Sequence, residues 1–200
     1  MSLKLSESLD ECNLYFRVSS LYLASSDLNA ASKKVYCYLC FIRQGQINAG
    51  LRPEIDINPI EDHAKRLAMP PEQFKSAVFD LLQPINTKLY TAGKKRDIEL
   101  IPLFLMPGKV NVCWTQLGSP QPTMIPGRAL ALPTELLPMY CALSQLVKKD
   151  NQLVSIESIE DKSGHEFSLD HLSSLQQLKH IELTHDDENA ERYKISLLNR

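Results

Sequence analysis

Apolar residues recur at helical spacing along much of the chain, and the places where that spacing breaks mark its elements. Over residues 31–44, Val35, Tyr36, Leu39, Cys40 and Arg43 share one face and Gly45 follows as a stop signal, so a helix is expected there. The next helix carries a start signal: Asn58 as cap, Pro59 in the first helical position, and Glu61 placed to reach back to the Asn58 amide. Ile60, Ala64, Leu67 and Ala68 then form one stripe, with His63 read as a surface residue. Met69-Pro70-Pro71 must interrupt this helix, because a proline ring clashes with the carbonyl four residues back. Phe74, Ala77, Val78, Leu81 and Leu82 predict a second amphipathic helix ending before Pro84. Beyond it the period changes. Residues 88–91 and 98–101 read as short strands joined by a basic loop, Ala92-Gly93-Lys94-Lys95-Arg96.

This order of helix, helix, tight turn, helix and basic hairpin over residues 31–104 resembles a winged-helix domain, the helix-turn-helix variant whose hairpin forms a wing. Seven of the chain's twelve prolines fall between Pro102 and Pro138, which rules out a long helix there. A strand around Val110–Trp114 and an irregular connector near 118–132 are expected instead. The tail repeats the first order more loosely. A helix over about 134–149 carries Leu136, Tyr140, Leu143, Leu146 and Val147; a short one over 155–161 stops at Gly164; a third is capped by Ser168 and holds Leu169, Leu172, Leu175 and Leu178. Ile181 and Leu183 alternate, Asp186-Asp187-Glu188-Asn189 makes a polar turn, and Tyr193, Ile195 and Leu197 alternate again. The expected fold is therefore α+β, mainly α, with two winged-helix-like domains in tandem joined by a Pro-rich connector. The divisions are 1–117, including an N-terminal extension, 118–133, and 134–200.

Composition narrows the function. The chain has 200 residues, 44% of them hydrophobic, and a formal charge of −2, so any cationic surface must be local. Nothing approaches the ~18 apolar residues of a membrane span, and the start lacks a secretory pattern, so a cytoplasmic protein with no membrane partner is expected. Cys37 and Cys40 have a metal-like spacing, but no second pair completes a tetrahedral set, and they sit in an apolar run where buried cysteine is ordinary. His165, His171, His180 and His185 cluster late in the chain without a helical i, i+4 pair. No phosphate loop, dinucleotide turn, nucleophile elbow or zinc-protease motif occurs. We expect no enzyme activity, no catalytic residue, no cofactor and no metal. The single Trp114 reads as packing.

The resemblance implies that the helix after the turn enters the major groove of double-stranded DNA. By position it would present Glu72, Gln73, Lys75, Ser76 and Phe79 or Asp80. Gln73 suits adenine, Ser76 a base or phosphate, and Lys75 a phosphate, whereas Glu72 and Asp80 would repel phosphates. Lys88, Lys94, Lys95 and Arg96 put four cations within nine residues where the wing commonly meets the backbone; a solubilising hairpin tip is the plainer alternative. Residues 1–107 hold 13 basic and 12 acidic residues, a net +1, and 108–200 hold 9 and 12, a net −3. DNA is therefore assigned to the N-terminal half, and the C-terminal half, with its acidic hairpin, to a protein contact or a homodimer. The resulting expectation is a DNA-binding regulator of transcription, or a replication or partition factor; plasmid-type replication initiators also use two winged-helix halves. The alternative is a non-catalytic winged-helix scaffold subunit, similar to the acidic partners in chromosome-organising complexes.

Overall fold

The computed structural model describes residues 14–52, 54–91, 94–106, 109–112, 122–185 and 192–198. A strand, β1 (Tyr15–Val18), and a short helix, α1 (Ser20–Ala24), precede the 19-residue helix α2 (Ala30–Asn48), whose cap Asn29 accepts from the Ser32 amide. Every residue of α2 from Ala31 to Phe41 is buried, so the helix is enclosed on all sides and not on the single face that the pattern predicted. Lys33 and Lys34 explain the difference. Their ammonium groups donate to the carbonyls of Ser163 and Leu132, both in the C-terminal part of the chain. A buried amine is tolerable once it has an acceptor. Burial still lowers both pKa values, that of Lys33 to about 7.

Helices α3 (Ile60–Arg66) and α4 (Pro71–Leu81) follow, separated by the tight turn that Pro70-Pro71 demands. The Met69 amide closes the turn on the Ala64 carbonyl, with Ala68 at a φ of 50°. The capping box expected of Asn58 and Glu61 does not form: Pro59 takes the cap position, and the Asn58 amide donates to Asp56 Oδ1. A local aspartate turn has captured the amide that the box needed.

Strands β2 (Ile85–Thr91) and β3 (Lys94–Leu100) pair antiparallel, Thr91 opposite Lys94, so Lys94, Lys95 and Arg96 belong to the strand and not to the five-residue loop expected for them. Ala92 and Gly93 lie outside the described residues. A second hairpin, β4 (Leu103–Met106) and β5 (Lys109–Val112), is joined by Ile55, which exchanges two backbone hydrogen bonds with Val110. The segment expected to be irregular is ordered from Thr123 on: β6 (Thr123–Pro126) pairs with β1 and runs into a 3-10 helix, Gly127–Ala131. Proline is tolerated there because β6 pairs on one side only. Residues 118–121, Cys113 and Trp114 lie outside the described residues.

The remainder is α5 (Leu136–Leu146), β7 (Gln152–Ser155), α6 (Ile156–Ser163), α7 (Leu169–Gln177), β8 (Ile181–His185) and β9 (Arg192–Leu197). The three strands form an antiparallel sheet in the order β7-β9-β8. Ser155 caps α6 through the Ser158 amide, and Ser168 opens α7 in a capping box completed by His171. The fold is α+β and mainly helical. Its buried side chains, from Phe16 to Leu197, form one continuous cluster to which both ends of the chain contribute. Among the described residues no helix is long and apolar enough to cross a membrane.

Candidate nucleic-acid interface

The inner face of α4 is filled by Phe74, Ala77, Val78 and Leu81, all buried. Its outer face is left to water: Glu72, Gln73, Lys75, Ser76 and Phe79 are exposed. The three α4 residues singled out in the sequence, Gln73, Lys75 and Ser76, therefore stand together on an accessible surface. Asp80 does not join Glu72 as a free carboxylate. Its Oδ2 accepts from Ser32 Oγ at 2.7 Å and from Asn29 Nδ2 at 3.2 Å, so its charge sits at the N-terminus of α2, where the helix dipole favours it.

His63 joins α3 to α4 and is half-buried, more than the plain surface residue expected. Its ring stacks on Phe74 with centroids 5.8 Å apart and planes 13° apart, and Tyr38 of α2 meets both rings edge-on. The Asp56 carbonyl lies 3.0 Å from Nε2 and can only accept, so Nε2 carries the proton; Nδ1, 2.9 Å from the Tyr38 hydroxyl, accepts. Both ring nitrogens are satisfied in the neutral form. Burial holds the His63 pKa below its ordinary value, and the nearby Arg66 charge lowers it further. The signal for this role was present: Ile60, His63, Ala64 and Leu67 fall at i, i+3, i+4 and i+7, the spacing of a buried stripe.

Only residues 82–84 separate α4 from β2. The register sets Lys88 opposite Asp97, Tyr90 opposite Lys95, Leu89 opposite Arg96 and Thr91 opposite Lys94. Opposed positions share a face, so the backbone register puts positions 88 and 95 in line with Asp97 and position 94 in line with Arg96. Arg96 is exposed; the side chains of Lys88, Lys94 and Lys95 lie outside what is described. The base of the hairpin is clamped. Asp27 Oδ2 accepts from the Asn86 amide at 2.7 Å, Ser25 Oγ donates to the Asn86 carbonyl, and Thr87 Oγ1 donates to the Leu21 carbonyl. This clamp in turn rests on the C-terminal part of the chain. Gly164, at a φ of 66°, lies so close to it that a Cβ would stand 2.6 Å from the Ala24 carbonyl oxygen and 2.7 Å from that of Ser25.

A polar cleft of about 770 Å³ opens between α1, the base of β2 and β3, and the helices α5 and α6. Asp27, Asp97, Glu160 and Asp161 outnumber Lys148 and Lys162 on its walls, so it is no surface for phosphate. Cys37, Cys40 and Cys141 are buried and in no disulfide; a hydrogen bond that the Cys141 thiol donates to Cys37, together with burial, pushes the Cys141 thiol well up. His165 is lowered to about 4 by burial and the Lys33 charge, His171 serves the α7 cap, and His180 packs edge-on against Tyr140. Among the described residues no three of His, Cys, Asp and Glu gather where they could hold a metal. Asp186, Asp187, Glu188 and Glu191, on which the acidic reading of the last hairpin rests, lie outside the described residues. No protein-family model matches this chain, and no curated protein or solved structure does so either.

Proposed function

We propose that the chain is a cytoplasmic DNA-binding protein, a regulator of transcription or a replication or partition factor, that contacts duplex DNA through α4 and the β2–β3 hairpin. The observation that carries this reading is the two-sidedness of α4: one face is buried as Phe74, Ala77, Val78 and Leu81, and the opposite face offers Gln73, Lys75 and Ser76 to solvent. The element order supports it. The series α2, α3, α4, β2, β3 and the series α5, β7, α6, α7, β8, β9 each have the sequence of parts of a winged helix. On this reading Lys75, Lys88, Lys94, Lys95 and Arg96 neutralise phosphates, while Gln73 and Ser76 reach base edges.

Titration of labelled duplex against salt tests the proposal. The wild-type chain should bind at low salt and weaken as salt rises, and the triple variant Lys94→Ala, Lys95→Ala, Arg96→Ala should lower the log–log salt slope by about 2.7, roughly 0.9 per phosphate contact. Lys75→Ala should weaken all sequences alike, whereas Gln73→Ala should relax sequence preference. Absence of binding at low salt would overturn the proposal. It would favour a scaffold subunit, a reading supported by Phe104 and Leu105, exposed at 53% and 66% on the apolar strand β4.

A further inference from the structure

Phe79 is 63% exposed and takes no part in the hydrophobic core. It lies on the outer face of α4, one turn beyond Lys75 and Ser76 and two turns beyond Glu72. The inner face of the helix is already complete, so the ring does nothing for packing where it stands. An aromatic ring left in water is unfavourable until an apolar surface covers it. The neighbouring carboxylate has been removed from the scene, because Asp80 turns to Ser32 and Asn29. The surface around Phe79 therefore combines a cation, a hydroxyl and an apolar ring, with the exposed Glu72 carboxylate two turns back on the same stripe. Ser76 and Phe79 are three residues apart, about 4.5 Å along the axis at 1.5 Å per residue, so the two side chains are neighbours on one ridge. In the major groove the distinctive apolar group among the base edges is the 5-methyl of thymine, to which phenylalanine is a suitable contact.

Resting on the DNA reading above, we infer that Phe79 is a specificity-determining residue that recognises a thymine methyl in the duplex contacted by α4. Lys75 holds the adjoining phosphate, and Ser76 contacts the neighbouring base or its phosphate. The ring supplies preference for thymine at one position and little general affinity.

The test uses a duplex selected by the wild-type chain from a random pool, with each of its thymines replaced singly by deoxyuridine, which removes only the methyl. One position should weaken wild-type binding about fourfold, the equivalent of one buried methyl. Phe79→Ala should bind the thymine duplex about as weakly as wild type binds the uracil one and should no longer distinguish them. Phe79→Leu should keep part of the distinction, and it carries the test if Phe79→Ala does not fold. The inference is overturned if no replacement affects wild type, if Phe79→Ala still distinguishes thymine from uracil, or if a folded Phe79→Ala loses both duplexes equally. A wild-type chain that selects no duplex and shows no salt-dependent binding overturns the DNA reading itself, and this inference with it.

Discussion

The helix pairs α3–α4 and α6–α7 fall at matching places in the element order, yet they pack differently: α3 lies directly on α4, whereas α6 and α7 each pack on α5. Between α3 and α4 the seam is a neutral histidine stacked on Phe74 and hydrogen-bonded at both nitrogens. Around the second pair the buried side chains are Ile159, Leu172 and Leu175, and Phe167 in the connection meets His165 and His171 edge-on. The hairpins differ as well. The β8–β9 pair is locked into a three-stranded sheet by β7, whereas β2–β3 is a free two-stranded ribbon held at its base by Asp27, Ser25 and Thr87. A hairpin built into a sheet is a structural member. One clamped at its base depends on those three side chains for its placement.

The largest effects should come from the buried side chains of α4 and α7. Phe74→Ala should lower unfolding free energy by about 3–5 kcal/mol and Leu172→Ala by about 2–5 kcal/mol, read by chemical denaturation. Because both side chains belong to one buried cluster, each variant should still unfold in a single calorimetric transition; two resolved transitions would mean that the halves are stable separately.

Two glycines sharpen the contrast. Gly164→Ala should cost roughly 2–4 kcal/mol, since it combines left-handed strain with a clash against the Ala24 and Ser25 carbonyls. Gly50, also at positive φ but with open space around it, should cost only about 1 kcal/mol when changed to alanine. Equal losses at the two positions would remove the close approach of α6 to the hairpin clamp.

Acid and base should act on different sites. Lys33 has a pKa of about 7 in the folded chain against an ordinary 10.5, so above pH 7 the unfolded chain binds more protons and stability should rise with pH. The slope is at most about 1.4 kcal/mol per pH unit, and it is clearest up to about pH 8.5, where thiol ionisation in the unfolded chain begins to oppose it. Lys33→Met should abolish that rise in urea-denaturation series. Below pH 6.5 the sense reverses in cause but not in sign: His63 and His165 resist protonation when folded, so stability should fall with falling pH. His165→Gln should remove the portion extending to about pH 4, and His63→Gln should leave that portion in place.

The smallest effects distinguish the two aspartates. Asp80→Ala and Asp27→Ala should each cost about 1 kcal/mol in lost hydrogen bonds. Only Asp27→Ala should speed hydrogen exchange at the Asn86 amide, because only Asp27 holds it.

Much of this was legible in the chain itself, and the exceptions have physical reasons. Helix α4 could be read because Phe74, Ala77, Val78 and Leu81 repeat at helical spacing between prolines that bound them. Strand β4 could not, since Leu103–Met106 is a four-residue apolar run with no period to betray it. The enclosure of α2 was hidden by Lys33 and Lys34, whose charges suggest a solvated face; backbone carbonyls distant in sequence satisfy them. His63 flanks the apolar stripe of α3, and its spacing of three from Ile60 turns it half inward. Among the proposed DNA contacts, the exposure of Gln73, Lys75 and Ser76 could be found from sequence because it follows from the periodicity of α4, whereas Arg96 was expected in a loop and lies in β3. The opposition of Lys88 and Asp97 depends on register, which sequence alone did not supply.

The two lysines of α2 also govern how this protein can be dissected. A fragment stopping at residue 117 would leave the amines of Lys33 and Lys34 without Ser163 and Leu132, and would bare the flank of α2 that rests on α5. Truncation would thus harm the very helix that supports α4. Point substitutions in the intact polypeptide are the sounder instrument for asking which half touches which molecule.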